Sequence, residues 1–112
     1  MKDFMLIFRL DYSIGMPTPD EMGAIEKKWE VWLNGLAEKK RLTHKGNRLS
    51  HAGKMIKPNN VVIDGPYTES KECVCGFIIV AADSLDEASE IAQDCPIFLR
   101  GGNVEVRDVV YM

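Results

Sequence analysis

Apolar residues recur every second position from Phe4 to Leu10, with Phe4, Leu6, Phe8 and Leu10 on one face. Met5 and Ile7 occupy the other face before Arg9 and Asp11 turn polar, which predicts an interior strand covered on two sides. The period then changes. Thr18-Pro19-Asp20-Glu21 is a helix start, with a capping threonine, a proline at the first helical position and a glutamate that completes a capping box. Met22, Ile25, Trp29, Trp32, Leu33 and Leu36 follow at helical spacing to about residue 40. Lys39, Lys40 and Arg41 there suit the carbonyl end of the helix dipole.

Leu42 to Arg48 reads as a returning strand, Leu49 to Lys54 as a polar turn and Met55 to Lys57 as a short hairpin extension. Pro58-Asn59-Asn60 punctuates the chain before a strand from Val61 to Asp64. Cys73 to Ala82 is a long apolar strand interrupted by Gly76, a residue that marks a bulge or a close backbone approach. The turn Asp64-Gly65-Pro66-Tyr67 is thus expected at the head of a hairpin between two core strands. Ser84-Leu85-Asp86-Glu87 is a second capping box, followed by Ala88, Ile91, Ala92 and Cys95 at helical spacing until Pro96. After Gly101-Gly102 the last strand runs from Asn103 to Tyr111, with Val104 and Val106 facing one way and Glu105 and Arg107 the other.

The order β-α-β-β-α-β with an extra hairpin predicts an α+β, ferredoxin-like protomer whose two helices share one face of an antiparallel sheet. Strands apolar on both faces then predict that the bare sheet face is buried against a second copy, giving a two-fold homodimer.

Composition narrows the function classes. A chain of 112 residues is expected to form a single domain over residues 1–112. A net charge of −3 gives no basic face for phosphate, so no nucleic-acid partner is expected. No apolar run approaches the roughly 20 residues of a spanning helix, so no membrane role is expected. Met1 to Leu6 reads as a first strand rather than a signal peptide, and a cytoplasmic location follows by default. Cys73, Cys75 and Cys95 form no C-x-x-C pair and read as small buried hydrophobes. Neither a metal nor a cofactor is predicted, and no catalytic triad or phosphate-cradling glycine loop is present.

Candidate chemistry concentrates around the rigid Gly65-Pro66 turn. Asp64, at a strand end, is either a general base or the carboxylate that holds the turn. Tyr67, Glu69, Lys71 and Glu72 either line a pocket mouth or form a solvated loop. Arg107 either pairs with a carboxylate across strands or subunits or holds a substrate carboxylate through a bidentate contact. Trp29 and Trp32 fill the core, or one of them borders a ligand cavity. His44 and His51 are expected at the surface or an interface. Two readings follow: a small-molecule-binding or enzymatic protein moving protons with Asp64 as base and Tyr67 as acid, or a non-catalytic regulatory or interaction module.

The combination of Asp64-Gly65-Pro66-Tyr67, Glu69, Lys71-Glu72, Gly76-Phe77 and the terminal run from Gly101 to Arg107 resembles the YCII-related, or DGPF-domain, family. Trp29-Glu30-Val31-Trp32-Leu33 and Gly46-Asn47-Arg48-Leu49-Ser50 are similar to one of its branches. The resemblance covers nearly the whole chain and implies a dimeric α+β barrel of ferredoxin-like protomers, with no assigned activity. Tyr67 stands where the family usually has phenylalanine, Cys75 where it has the first glycine of a pair, and Asp108 where it has proline. The narrower YCII proteins carry a proposed His–Asp pair with the histidine on the first helix. The matching position here is Trp29, so that acid–base mechanism does not carry over.

Overall fold

The structure, a computed structural model, describes residues 1–65 and 72–112. Along the chain lie β1 (Lys2–Asp11), α1 (Pro19–Glu38), β2 (Leu42–Arg48), β3 (Gly53–Lys57), β4 (Val61–Gly65), β5 (Glu72–Ala82), α2 (Leu85–Ala92) and β6 (Asn103–Asp108). Short 3-10 turns occupy Tyr12–Ile14, Pro58–Asn60 and Pro96–Arg100.

Both helices start where the capping boxes place them. The Thr18 hydroxyl accepts the Glu21 N–H at 3.2 Å and donates to its carboxylate at 3.1 Å, and Pro19 opens the first turn. Ser84 accepts the Glu87 N–H at 3.1 Å in the same way. Each contact satisfies a helix N–H that would otherwise lack a partner.

Four strands form an antiparallel sheet in the order β2-β5-β1-β6, with β1 in the interior. This is the ferredoxin-like α+β arrangement expected from the element order. Phe4, Leu6, Phe8 and Leu10 of β1 are buried and meet Ile78 and Val80 of β5, Leu36 of α1 and Ala88 and Ala92 of α2 in one core. Each fully buried side chain of the size of Phe4 or Leu6 stabilises the fold by about 1.5–3 kcal/mol. The opposite sheet face carries half-buried Met5, Ile7, Phe77 and Ile79, so the apolar alternation on both faces is borne out.

Irregularities in two strand pairings shape the sheet. The β1–β5 register passes from Phe8↔Gly76 to Arg9↔Val74, which leaves Cys75 as an extra, bulged residue. Cys75 and Gly76 are consequently both buried, although neighbours in a regular strand face opposite ways. Gly76 also lies under a close approach, since a Cβ there would come within 3.0 Å of the Asn47 carbonyl. The other pairing is that of β2 with β5, whose register shifts between Leu42 and His44 and again between His44 and Asn47. Gly46 there has a φ of +61°, and a Cβ would fall 1.7 Å from the Phe77 carbonyl oxygen, so no other residue fits.

One strand departs from expectation. Val61 to Asp64 is not a core strand beside Cys73 to Ala82: β4 pairs with β3 in a separate two-stranded sheet, and β2 takes the place beside β5. Asn59 and Asn60, at φ of 68° and 62°, turn the chain back after Pro58 and set Lys57 opposite Val61. Asparagine enters the left-handed region more easily than other non-glycine residues, which favours this local closure. The resulting β3–β4 arm leaves Ile56, Val61 and Val62 exposed. The radius of gyration, 15.4 Å, exceeds the about 13 Å of a compact chain this long.

Candidate functional site

A cleft of about 490 Å³ opens between α1 and the sheet. Its floor is Phe8 and Leu10 of β1 with Cys75 and Ile78 of β5. The β5 bulge supplies that floor, because it turns a small thiol and a bare glycine toward α1 at adjacent positions. Its wall is the sheet-facing stripe of α1, where Met22, Ile25, Trp29 and Leu33 are only half-buried. Trp29 sets its ring at 5.0 Å and 75° to Phe8 and at 5.6 Å to Trp32, an edge-to-face cluster that holds the indole in place.

The rim is charged. Arg48 pairs in register with Gly76 and so projects toward the helix side. Arg100 closes the Pro96–Arg100 turn, which is anchored by buried Pro96 and Ile97 and by bonds from the Gly101 N–H to the Phe98 carbonyl and the Gly102 N–H to the Ile97 carbonyl. Tyr12 lies at the same end, its ring tilted at 51° against His51 with centroids 4.5 Å apart. Glu26 and Glu30, one helical turn apart on α1, and Lys45 complete the edge.

Burial raises the Tyr12 hydroxyl above the ordinary tyrosine range, against the pull of Arg100 and Arg48. Burial likewise pushes the Cys75 thiol up, and Arg100 and Arg48 again act the other way. The Cys75 side chain is therefore a neutral, weakly polar part of the floor at neutral pH rather than a nucleophile. An apolar floor, an aromatic wall and convergent cations are what a small organic ligand needs: area to bury and a few polar groups to orient it.

The residues singled out from sequence fall in three places. Trp29 lines the cleft. Asp64 lies on the arm with its side chain 92% exposed and accepts a hydrogen bond from Lys54 Nζ at 2.8 Å. Arg107 lies on the opposite face of the sheet, where Arg9 and Arg107 share Glu105 at 3.2 and 3.0 Å. The Arg107 hydrogen bond is the main reason the Glu105 carboxyl sits below its ordinary range. Tyr67 and Lys71, with the Pro66 end of the turn, lie outside the described residues. Among the described residues, Asp64, Trp29 and Arg107 are not brought together.

Sequence reasoning passed over Arg48, Arg100 and Tyr12 as site residues. A signal existed for the arginines: Arg48 follows the bulge glycine at Gly46 by two positions, and Arg100 directly precedes Gly101-Gly102. A second groove, between α1 and α2, is closed on its polar side by the Arg41–Glu87 ion pair. Arg41 and Glu87 there already serve each other.

Fold and cleft together define a ferredoxin-like α+β protein with a small-molecule-sized cavity under its first helix. The YCII-related domain family matches residues 16–112, and the chain belongs to that family. A solved structure of 5-chloro-2-hydroxyhydroquinone dehydrochlorinase from Burkholderia phenoliruptrix, in complex with 2,5-dihydroxybenzoquinone, has the same fold. It aligns with a TM-score of 0.55 at 20% identity, over 97% of this chain and 95% of that one. An uncharacterized protein of Rhizobium meliloti (strain 1021) is 47% identical over 34 residues, 30% of this chain. That match spans 27% of the relative's own length. No helix among the described residues is long and apolar enough to cross a membrane.

Proposed function

We propose that this protein binds a small organic molecule in the cleft under α1. The observation that carries the reading is the half-buried stripe of Met22, Ile25, Trp29 and Leu33 standing over a cavity of about 490 Å³. Apolar side chains of this size are normally buried against a neighbour, and a cavity of this volume suits a ligand of one or two rings. The dehydrochlorinase of like fold holds a six-membered dihydroxybenzoquinone, which supports a planar ligand of that scale here.

In the same reading two copies pair through the open sheet face. The strip of Met5, Ile7, Phe77 and Ile79, bordered by the Arg9–Glu105–Arg107 network, is its support. The catalytic form of the reading keeps Asp64 as base and Tyr67 as acid. Asp64 is not among the residues lining the cleft of its own copy, so this form requires the arm of one copy to reach the cleft of the other. The regulatory or interaction reading has one observation in its favour, the exposed Ile56, Val61 and Val62 of the arm.

The test is a two-dimensional amide and indole NMR titration with a set of one- and two-ring aromatics. Shifts are expected at Gly46, Gly76 and the Trp29 indole, with residues 54–64 silent in the non-catalytic form. Shifts confined to the arm, or none at millimolar concentrations, would remove the cleft from consideration. Light scattering on the same sample is expected to give the mass of two chains.

A further inference from the structure

We infer that the ligand of the cleft is a small aromatic carboxylate, its ring against Trp29 and Phe8 and its carboxylate held by the Arg48 and Arg100 guanidinium groups. The inference rests on the cleft being the binding site and names the chemistry it takes.

Two cations at one end of an apolar cavity offer an anion charge-assisted hydrogen bonds. Arg48 comes from β2 and Arg100 from the turn before β6, so two separate parts of the fold deliver them to the same cleft. Among the described residues no carboxylate lies within ion-pair distance of either, whereas Arg9, Arg41 and Arg107 are all paired. The contact recorded for Arg100 is a weak one to the Met16 sulfur at 3.9 Å. Both positive charges act on the Tyr12 hydroxyl and on the Cys75 thiol in the floor, which sets the sign of the field at that end. Glu26 and Glu30 belong to the α1 edge of the rim and are exposed. The rim is therefore positive on the Arg48 and Arg100 side and negative along α1.

Geometry favours a carboxylate over a diffuse anion. A guanidinium presents a planar fork that matches two carboxylate oxygens. Arg100 is also held on a rigid support: a Cβ on Gly102 would fall 2.5 Å from Ile97 and 2.7 Å from the Arg9 carbonyl, so the turn is fixed against the end of β1. The ring component follows from the wall, since the Trp29–Phe8 edge-to-face pair offers flat apolar area at the depth of the floor.

The experiment compares 2-naphthoate with 2-naphthamide, which has the same rings and no charge, by calorimetry and by the NMR titration above. The wild-type protein is expected to bind the acid at least about tenfold more tightly than the amide, the scale of one charge-assisted hydrogen bond. In the Arg48→Gln and Arg100→Gln variants the acid is expected to weaken toward the amide while amide affinity stays constant. Lys28→Gln, an exposed cation outside the cleft, controls for general charge, and thermal melts confirm that each variant folds. Equal binding of acid and amide, or an acid affinity indifferent to both arginine variants, overturns the inference and leaves the cleft reading standing. Failure of both compounds to bind the wild type overturns the two together. Inorganic phosphate competing as well as the acid shows a plain anion site and also overturns it.

Discussion

The two helices rest on the same sheet face but meet it differently. α2 presents Ala88 and Ala92, both buried, and lies close against the strands. α1 is more than twice as long, yet Leu36 is its sole buried residue. Its aromatic side chains stand between helix and sheet as props, with Trp29 and Trp32 both edge-on to Phe8. Small residues allow close approach and remove space; large ones that touch at their edges hold the helix off and keep space open. One half of the layer is thereby closed and the other open.

Adding volume on each side should separate the halves most sharply. Ala88→Leu has no room and is expected to cost about 1–3 kcal/mol in urea unfolding. Ile25→Phe grows into the cleft, so it should change stability by less than about 0.5 kcal/mol while abolishing ligand-induced NMR shifts. An Ile25→Phe variant as unstable as Ala88→Leu would mean that the α1 side is packed after all.

The alkaline limb of stability tests the packed side again. Burial pushes the Cys95 thiol up to about 12 from an ordinary value of 9.0. Between those values the unfolded chain has lost the proton that the folded chain keeps. Stability is full below 9 and falls as pH rises toward 12, by up to about 1.4 kcal/mol per unit. Cys95→Ala should flatten this limb; an unchanged slope would assign it to other groups.

Cysteine alkylation gives a smaller contrast between the same halves. All three thiols are free, buried and raised by burial, so reaction with iodoacetamide at neutral pH should be slow throughout. Cys75 lines the cleft and should be modified before Cys95, with a bound aromatic slowing Cys75 alone. Modification of Cys95 first would reverse the assignment of open and packed sides.

The smallest effect belongs to the acid limb. Hydrogen bonds from Tyr111 and then Thr43 lower the Asp3 carboxyl below 3.8, and Arg107 lowers Glu105 below 4.5. Stability from these groups is present above the ordinary carboxylate range and is lost as pH falls through their lowered values. Tyr111→Phe should shift the acid midpoint upward slightly, and no shift would show that the contact contributes nothing.

Local signals carried most of the fold. The capping boxes at Thr18 and Ser84 act over three residues and are visible wherever they occur. The period-two run of β1 and the helical stripe of α1 were equally plain. Pairing partners were not, because Val61-Val62-Ile63 is the same β-branched run in an arm as in a core, and its partner is decided by the turn at Asn59-Asn60. Gly76 signalled a bulge, but not that the bulge would floor a cleft. The rim arginines come from residues 48 and 100, so their convergence is a property of the tertiary fold. Asp64 drew attention through its turn and stands on the arm; Trp29 lines the cleft.

The interior place of β1 has a consequence for how the molecule assembles. Both of its neighbours come from the second half of the chain, with Phe4 opposite Val80 on one side and Asp108 on the other. Pairing at such sequence separation is slow, of the order of milliseconds to seconds for topologies dominated by it. The β3–β4 arm closes within 13 residues, Gly53 to Gly65, and hairpins of that kind form in about 1–10 μs. Pulse-labelled hydrogen exchange should protect Ile56 and Val62 amides before those of Leu6 and Ile78, and simultaneous protection would contradict this order. In that order the outlying arm is the first β-structure to form and the sheet beneath the cleft the last.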